Sequence, residues 1–252
     1  MYPVLNFAIG QLHFAMPTFA LSSFVGAVIV LFFTFKRSIN FDIEFKHFAI
    51  LLLLTIFFGA IGARLIFVFS RLPGLIHVFS LRMFIHLLFN GGIVFFGGLM
   101  GVLFGLKLFT VIKKQYSPFV FQMAAPAIPL FQGFGRIGCL LGGCCYGFHL
   151  STPFVLFEGV QFDRFPVPLF ESLFCFAIFV VLVVRENKKD DIDLLRIYLL
   201  SYAAFRFAAE FLRDDLIRGH FFGLSTSQWI SLTIVFYYIL QYIRTTRLTK
   251  NA

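Results

Sequence analysis

Long apolar runs alternate with short segments that carry lysine and arginine, and this alternation extends from one end of the chain to the other. A membrane-crossing helix needs about 20 mostly apolar residues. Such runs fall at roughly 14–35, 48–69, 92–112, 118–140, 169–184, 194–212 and 226–243 and predict seven spans. The fifth is short, and the fourth holds Pro126 and Pro129, which neighbouring helices can accommodate. The expected fold class is an all-α polytopic membrane protein, a single seven-helix membrane domain over 1–252. Two connections exceed simple turns. Residues 70–90 (RLPGLIHVFSLRMFIHLLFNG) read as an interfacial segment lying in the membrane plane. Residues 141–168, with the strand-like pieces PFVLF and VQF, read as a small extracytoplasmic cap.

The charges between the runs set the orientation. With the N-terminus outside and the C-terminus cytoplasmic, the inner segments carry Lys36, Arg37, Lys46, Lys113, Lys114, Arg185, Lys188, Lys189, Arg244, Arg247 and Lys250. The outer ones carry Arg71, Arg82, Arg164, Arg213 and Arg218. This is the bias that positive-inside topology requires, and removing any one helix scrambles it. Trp229 at the outer end of the last run, and Tyr237, Tyr238 and Tyr242 near its inner end, fit aromatic belts.

Composition agrees: 60% of residues are hydrophobic and 13% charged, against about 45–50% and about 25% in soluble domains. The net charge of +9 does not point to nucleic acid, because the basic residues are short clusters between apolar runs. The first lysine or arginine, Lys36, follows the first apolar run, so no cleavable signal peptide is expected. Cys139, Cys144, Cys145 and Cys175 are too few and too unevenly spaced for a disulfide scaffold, and their spacing is no zinc pattern. They read as small apolar filler.

Arg64, Arg136 and Arg206 interrupt apolar runs. A charge near a bilayer centre costs from about 2.5 to over 10 kcal/mol, and such residues usually face a polar interior. The topology puts all three in the outer halves of their helices, level with the glycine-rich stretch Gly91, Gly92, Gly97, Gly98 and Gly101. The expectation is one cationic, glycine-lined cavity opening toward the outer leaflet. Guanidinium forks bind phosphate bidentately, so a phospholipid headgroup suits it. The plainer alternative is that each arginine snorkels to the interface or pairs with Glu210 or Glu171. Tyr202, Arg206 and Glu210 follow at i, i+4 and i+8 and share one helical face, where Glu210 can simply neutralise Arg206.

These motifs, in this order, resemble the prolipoprotein diacylglyceryl transferase family nearly end to end. The opening MYPVLNFAIGQLHF is similar to the family's start, GARLIFV to its helix-two motif with Arg64, and GGIVFFGGLMG (91–101) to its glycine-rich motif. GFGRIGCLLGGCCYG (133–147) resembles the signature, with Arg136 at the signature arginine and Gly147 at the closing glycine. PVPLFESL (166–173) carries Glu171, YAAFRFAAEFLRDD (202–215) carries Tyr202, Arg206 and Glu210, and GLSTSQ (223–228) resembles the last motif.

The resemblance implies transfer of diacylglycerol from phosphatidylglycerol to the lipobox cysteine of prelipoproteins, with release of glycerol phosphate. It implies a multi-pass protein of the bacterial cytoplasmic membrane, with phosphatidylglycerol, prelipoprotein signal peptides and membrane lipids as partners and no metal or organic cofactor. Arg136 and Arg206 would meet the phosphate, Tyr202 would orient headgroup or thiol, and Arg64, Gly97, Gly98, Gly147, Glu171 and Glu210 would shape the substrate site.

The chain departs from the family at three places. Phe96 stands where the glycine-rich motif often has histidine or tyrosine, Cys139 stands at the signature asparagine, and FPVPLFE (165–171) replaces HPTQLYE. The thiol would then ionise in the arginine field, or a stand-in base would serve, with His149 and Glu171 as candidates and His86 a poorer one. A non-catalytic lipid- or prelipoprotein-binding relative is the alternative function. A transporter would show internal repeats, and none is visible.

Overall fold

The computed structural model describes residues 4–9, 12–75, 80–90, 92, 94–157, 160–187, 193–214 and 220–251. Gly91, Lys188, Lys189, Asp215 and Arg218, which entered the sequence reading, lie outside them. The described chain is mostly helical, and four of its helical stretches are long and apolar enough to cross a membrane: Thr18–Asn40, Phe45–Phe69, Phe95–Ile112 and Val167–Glu186. Phe24, Phe32, Leu53, Ile56, Phe57, Met100 and Phe104 on these helices are exposed. Such apolar surface is stable against lipid and costly against water.

The chain divides into two compact units, residues 1–32 with 125–252 and residues 33–124, and helix α1 (Thr18–Asn40) contributes to both. In the first unit, β1 (Val4–Ile9) and β2 (Leu12–Pro17) pair antiparallel, Val4 opposite Pro17 and Ile9 opposite Leu12. The expected run from 14 therefore begins as strand, and helix starts only at Thr18. The N-terminal part of α1 packs on α6 (Ala127–Gly142), where the Ser22 hydroxyl donates to the Phe134 carbonyl at 2.6 Å. Helices α7 (Val167–Asn187), α8 (Leu194–Ala209) and α9 (Thr226–Asn251) complete this unit. The Asp193 carboxylate caps α8 by accepting from the Arg196 amide at 3.0 Å. Between α6 and α7, β3 (His149–Phe157) and β4 (Val160–Arg164) form a two-stranded antiparallel sheet containing PFVLF and VQF. A shorter hairpin, β5 (His220–Phe221) and β6 (Leu224–Ser225), turns through Phe222 and Gly223, both at positive φ, which matches the hand of a tight two-residue turn.

The second unit is built on α2 (Phe45–Leu75) against α4 (Phe95–Ile112), with α3 (Leu81–Asn90) and α5 (Ser117–Ala124). The segment read as one interfacial element, 70–90, is divided: its start belongs to the 31-residue α2 and its end forms α3. The run at 118–140 is likewise two helices, α5 and α6, parted at Ala125 and Pro126. Pro118 and Pro129 each sit in the first turn of their helix, where a missing amide is harmless.

Glycines set the α2–α4 distance. A Cβ at Gly97 would run into the Gly62 carbonyl, and one at Gly101 into the Phe58 carbonyl. Gly97, Gly101 and Gly105 repeat every four residues along one face, the small-residue spacing that lets helices touch through their backbones. Below this contact Leu51, Leu106, Phe109, Val120 and Met123 form a buried core. Arg37 donates to the Gln122 and Met123 carbonyls at the end of α5, at 3.1 and 3.0 Å. A cation on the last carbonyls of a helix stabilises it.

Gly97→Val is expected to lower stability by about 1–3 kcal/mol through overpacking. Gly135→Ala, where an added Cβ meets nothing within 4 Å, is expected to be neutral or stabilising by up to about 1 kcal/mol. Thermal unfolding of the two variants in detergent, side by side, checks the contrast.

Candidate functional site

One buried carboxylate organises the first unit. Glu171, on α7, is wholly inaccessible. Its position follows from the approach of α7 to α6. The next residue, Ser172, donates its hydroxyl to the Gly133 carbonyl at 3.1 Å, and the Phe176 ring fills the space a side chain at Gly133 would need. One turn beyond Gly133, Arg136 reaches the carboxylate, with Nη2 2.9 Å from Glu171 Oε1. The Tyr202 hydroxyl donates to the same oxygen at 3.0 Å, and Arg213 Nη1 lies 4.0 Å from Oε2.

Helix α8 supplies the second half. Tyr198, Tyr202 and Arg206 are all buried on one face, with the two tyrosine rings stacked at 5.9 Å and 12°. The Tyr198 hydroxyl donates to Gln132 Oε1 at 2.8 Å, which ties this face to α6. Phe174 and Phe205 stack at 4.2 Å between α7 and α8. Arg206 is 1% exposed; its Nη2 is 2.6 Å from Glu210 Oε2 and donates to Ser227 Oγ at 3.3 Å. Ser227 is held by a reciprocal cap at the start of α9. The Ser225 amide donates to Gln228 Oε1 at 2.9 Å, and the Gln228 amide donates to Ser225 Oγ at 3.3 Å. The motif GLSTSQ thus folds as a hairpin turn followed by a capping box that delivers a hydroxyl to Arg206. Arg206 Nη1 is buried with no hydrogen-bond partner among the described residues.

Gly147 acts from behind the cluster. Its amide donates to the Phe165 carbonyl at 2.8 Å, it bridges to Arg213, and a Cβ on it would strike the Leu212 carbonyl. Only glycine lets the segment after α6 lie against the strand-like stretch that carries Arg213. Preceding it, Tyr146 donates its hydroxyl to the Leu140 carbonyl at 3.0 Å, and burial pushes that hydroxyl up to about 12. The sulfurs of Cys139, Cys144 and Cys145 all lie within 4.8 Å of one another. The Cys144 thiol donates to the Cys139 carbonyl at 3.6 Å.

Several residues expected at one site have structural partners of their own. Arg136 is ion-paired to Glu171 and Arg206 to Glu210, as the plainer sequence alternative had it, so Glu171 is a paired anion and Glu210 a neutralising one. His149 is exposed at the start of β3, opposite Arg164, and His86 is exposed on α3. Arg64, Gly97 and Gly98 belong to the second unit. There Arg64 Nη1 donates to the Leu88 carbonyl at 2.6 Å and to the Phe89 carbonyl, closing the C-terminal end of α3. Gly97 makes the helix contact described above, and Gly98 faces Ala63 at ordinary distance. Sequence reading named Arg213 only as an outer charge and passed over Ser227, Tyr198 and Gln132. The signals were present: Arg213 lies seven residues after Arg206, Tyr198 four before Tyr202, and Ser225 to Gln228 has capping-box spacing.

Removing one partner from a buried ion pair strands the other charge, at about 3–5 kcal/mol. Glu171→Gln should cost that much, and Tyr202→Phe about 1.5–3 kcal/mol for a bond to a charged acceptor. Because Arg136 and Tyr202 share Oε1, the double variant should be less destabilised than the sum. Unfolding in detergent measures all three; strict additivity would show that the two groups act separately.

The model of the family described as prolipoprotein diacylglyceryl transferase matches residues 6–244. The phosphatidylglycerol–prolipoprotein diacylglyceryl transferase 2 of Clostridium perfringens (strain 13 / Type A) is 34% identical over 197 residues, 75% of each chain. The corresponding transferase of Clostridium tetani (strain Massachusetts / E88) is 30% identical over 205 residues, 78% of each chain. That of Bordetella avium (strain 197N) is 29% identical over 225 residues, 84% of this chain and 82% of the relative. A match that covers nearly the whole chain, and contains the Arg136–Glu171 and Arg206–Glu210 pairs, leaves one assignment: the chain belongs to the prolipoprotein diacylglyceryl transferase family.

Proposed function

We propose that this protein transfers diacylglycerol from phosphatidylglycerol to the lipobox cysteine of prelipoproteins in a bacterial cytoplasmic membrane. The names of its relatives support the donor and the acceptor class. In this reading the chain spans the membrane seven times, N-terminus outside, and the Glu171-centred cluster lies toward the outer leaflet, where the donor headgroup and the signal-peptide cysteine meet.

The observation that carries the reading is the buried, unpartnered Nη1 of Arg206. A guanidinium whose other nitrogen is fixed by Glu210 and Ser227 presents this donor in a set direction. A phosphate oxygen supplies the acceptor it lacks. In the transfer the acceptor thiol gives up its proton, favoured by the field of Arg136, Arg206 and Arg213, and that proton ends on the departing glycerol phosphate, which leaves as the monoanion. The sulfur electron pair forms the thioether bond to the terminal glycerol carbon of the diacylglycerol. The carbon–oxygen bond breaks, and its electron pair leaves on the phosphate of glycerol phosphate. The gain of negative charge on that phosphate is what a preoriented guanidinium stabilises. Arg136, held by Glu171, is the second cation in this account, and Tyr202 keeps Glu171 in register.

Expression in bacteria depleted of their own diacylglyceryl transferase tests the proposal. The wild-type chain is expected to restore the mobility shift of a lipid-modified lipoprotein. Arg206→Lys keeps the charge but loses the fork, and should lower the transfer rate by about 10²–10³-fold, the usual cost of one stabilising donor. No shift from well-inserted wild-type protein would sink the transferase reading; full activity in Arg206→Lys would sink the role given to Nη1.

A further inference from the structure

The closing turn of α6 brings three thiols together in a way their spacing in the sequence conceals. Gly143 adopts the left-handed conformation at φ 74°, and its amide reaches the Leu140 carbonyl at 3.4 Å. The Cys144 amide reaches the Cys139 carbonyl at 3.1 Å. These two bonds define a Schellman C-cap, in which the side chains at the third-last helical position and two past the cap meet. Those positions are Cys139 and Cys144, so a contact that is ordinarily apolar is here made by two thiols. Cys145 then takes φ 65°, a left-handed backbone uncommon in any residue but glycine. That turn returns a third sulfur to the first two, and all three lie within 4.8 Å of one another.

Three features separate this from cysteine used as filler. The thiols converge on one point. One of them is held there at the expense of an unfavourable backbone conformation, a form of strain that clusters at ligand sites. The site is also graded in access, with Cys139 buried, Cys145 half-buried and Cys144 exposed, so that an ion has an entry route.

We propose that Cys139, Cys144 and Cys145 form a three-thiolate site for a thiophilic closed-shell cation, zinc(II) or copper(I). Zinc–sulfur bonds of about 2.3 Å put tetrahedral sulfurs about 3.8 Å apart, so closing from 4.8 Å requires shifts of under about 1 Å. Zinc(II) would complete its tetrahedron with water; copper(I) accepts three sulfurs alone. Binding displaces the thiol protons to solvent and changes no oxidation state. The ion would lock the turn between Arg136, one helical turn before Cys139, and Gly147, and would thereby fix both ends of the segment that leads to the arginine cluster.

Full-length protein, purified reduced in lipid nanodiscs, is titrated with zinc(II), with chelator-buffered copper(I), and with cadmium(II) as the spectroscopic probe. One ion per chain is expected, with sulfur-to-cadmium charge-transfer absorption and loss of maleimide reactivity at the exposed Cys144. Cys139→Ser should weaken binding by more than the roughly 10–100-fold typical of an outer-shell change, and Cys175→Ala should leave it intact. Failure of folded, fully reduced wild-type protein to bind any of the three ions would overturn the proposal. Binding that survives in Cys139→Ser would overturn it too. Because occupancy is read on the wild-type chain, an unstable variant does not rescue the idea, and a negative result leaves the transferase reading untouched.

Discussion

A single anion, the fully buried Glu171 carboxylate, determines how the functional half of the molecule is put together. An isolated charge in that position is prohibitively unfavourable, and it persists because Arg136, Tyr202 and Arg213 surround it from three different segments. Each partner is in turn fixed by something local. Arg136 follows the Gly133–Ser172 contact of α6 with α7, Tyr202 follows the stacked face of α8, and Arg213 follows the close approach allowed by Gly147. The carboxylate is therefore the point at which three independent pieces of chain are brought into register.

With Arg136 neutralised by Glu171 and Arg206 by Glu210, the cluster contains three guanidiniums against two carboxylates. The unmatched Arg206 Nη1 gives it a preference for an anion without leaving bare charges in an apolar surrounding. This resolves what looked in the sequence like competing explanations. Pairing with glutamate and readiness for phosphate are compatible, because a guanidinium has five donors and each glutamate uses only part of that set.

The family assignment was fully legible in the ordered motifs, and the helical character was legible in the apolar runs. Element boundaries were less so. Hydropathy cannot distinguish a strand from a helix over 12–17, and it cannot see that Pro126 parts one apolar run into α5 and α6. The glycine-rich stretch illustrates a different limit. Gly97 was read as letting a ligand approach; the structure shows it letting a helix approach, and the sequence signature of the two is the same. Arg64 shows the matching ambiguity for cations: the carbonyls of Leu88 and Phe89 accept from its Nη1 as headgroup oxygens would. The cysteines hid for a geometric reason, since a left-handed residue such as Cys145 reverses direction in a way that linear spacing does not record.

The most direct measurement is an experimental structure of the protein in nanodiscs containing phosphatidylglycerol. The account predicts a headgroup phosphate oxygen within hydrogen-bond distance of Arg206 Nη1, with the Arg136–Glu171 pair and the Tyr202 bond intact beside it. A phosphate bound elsewhere, with Arg206 still satisfied only by Glu210 and Ser227, would contradict it.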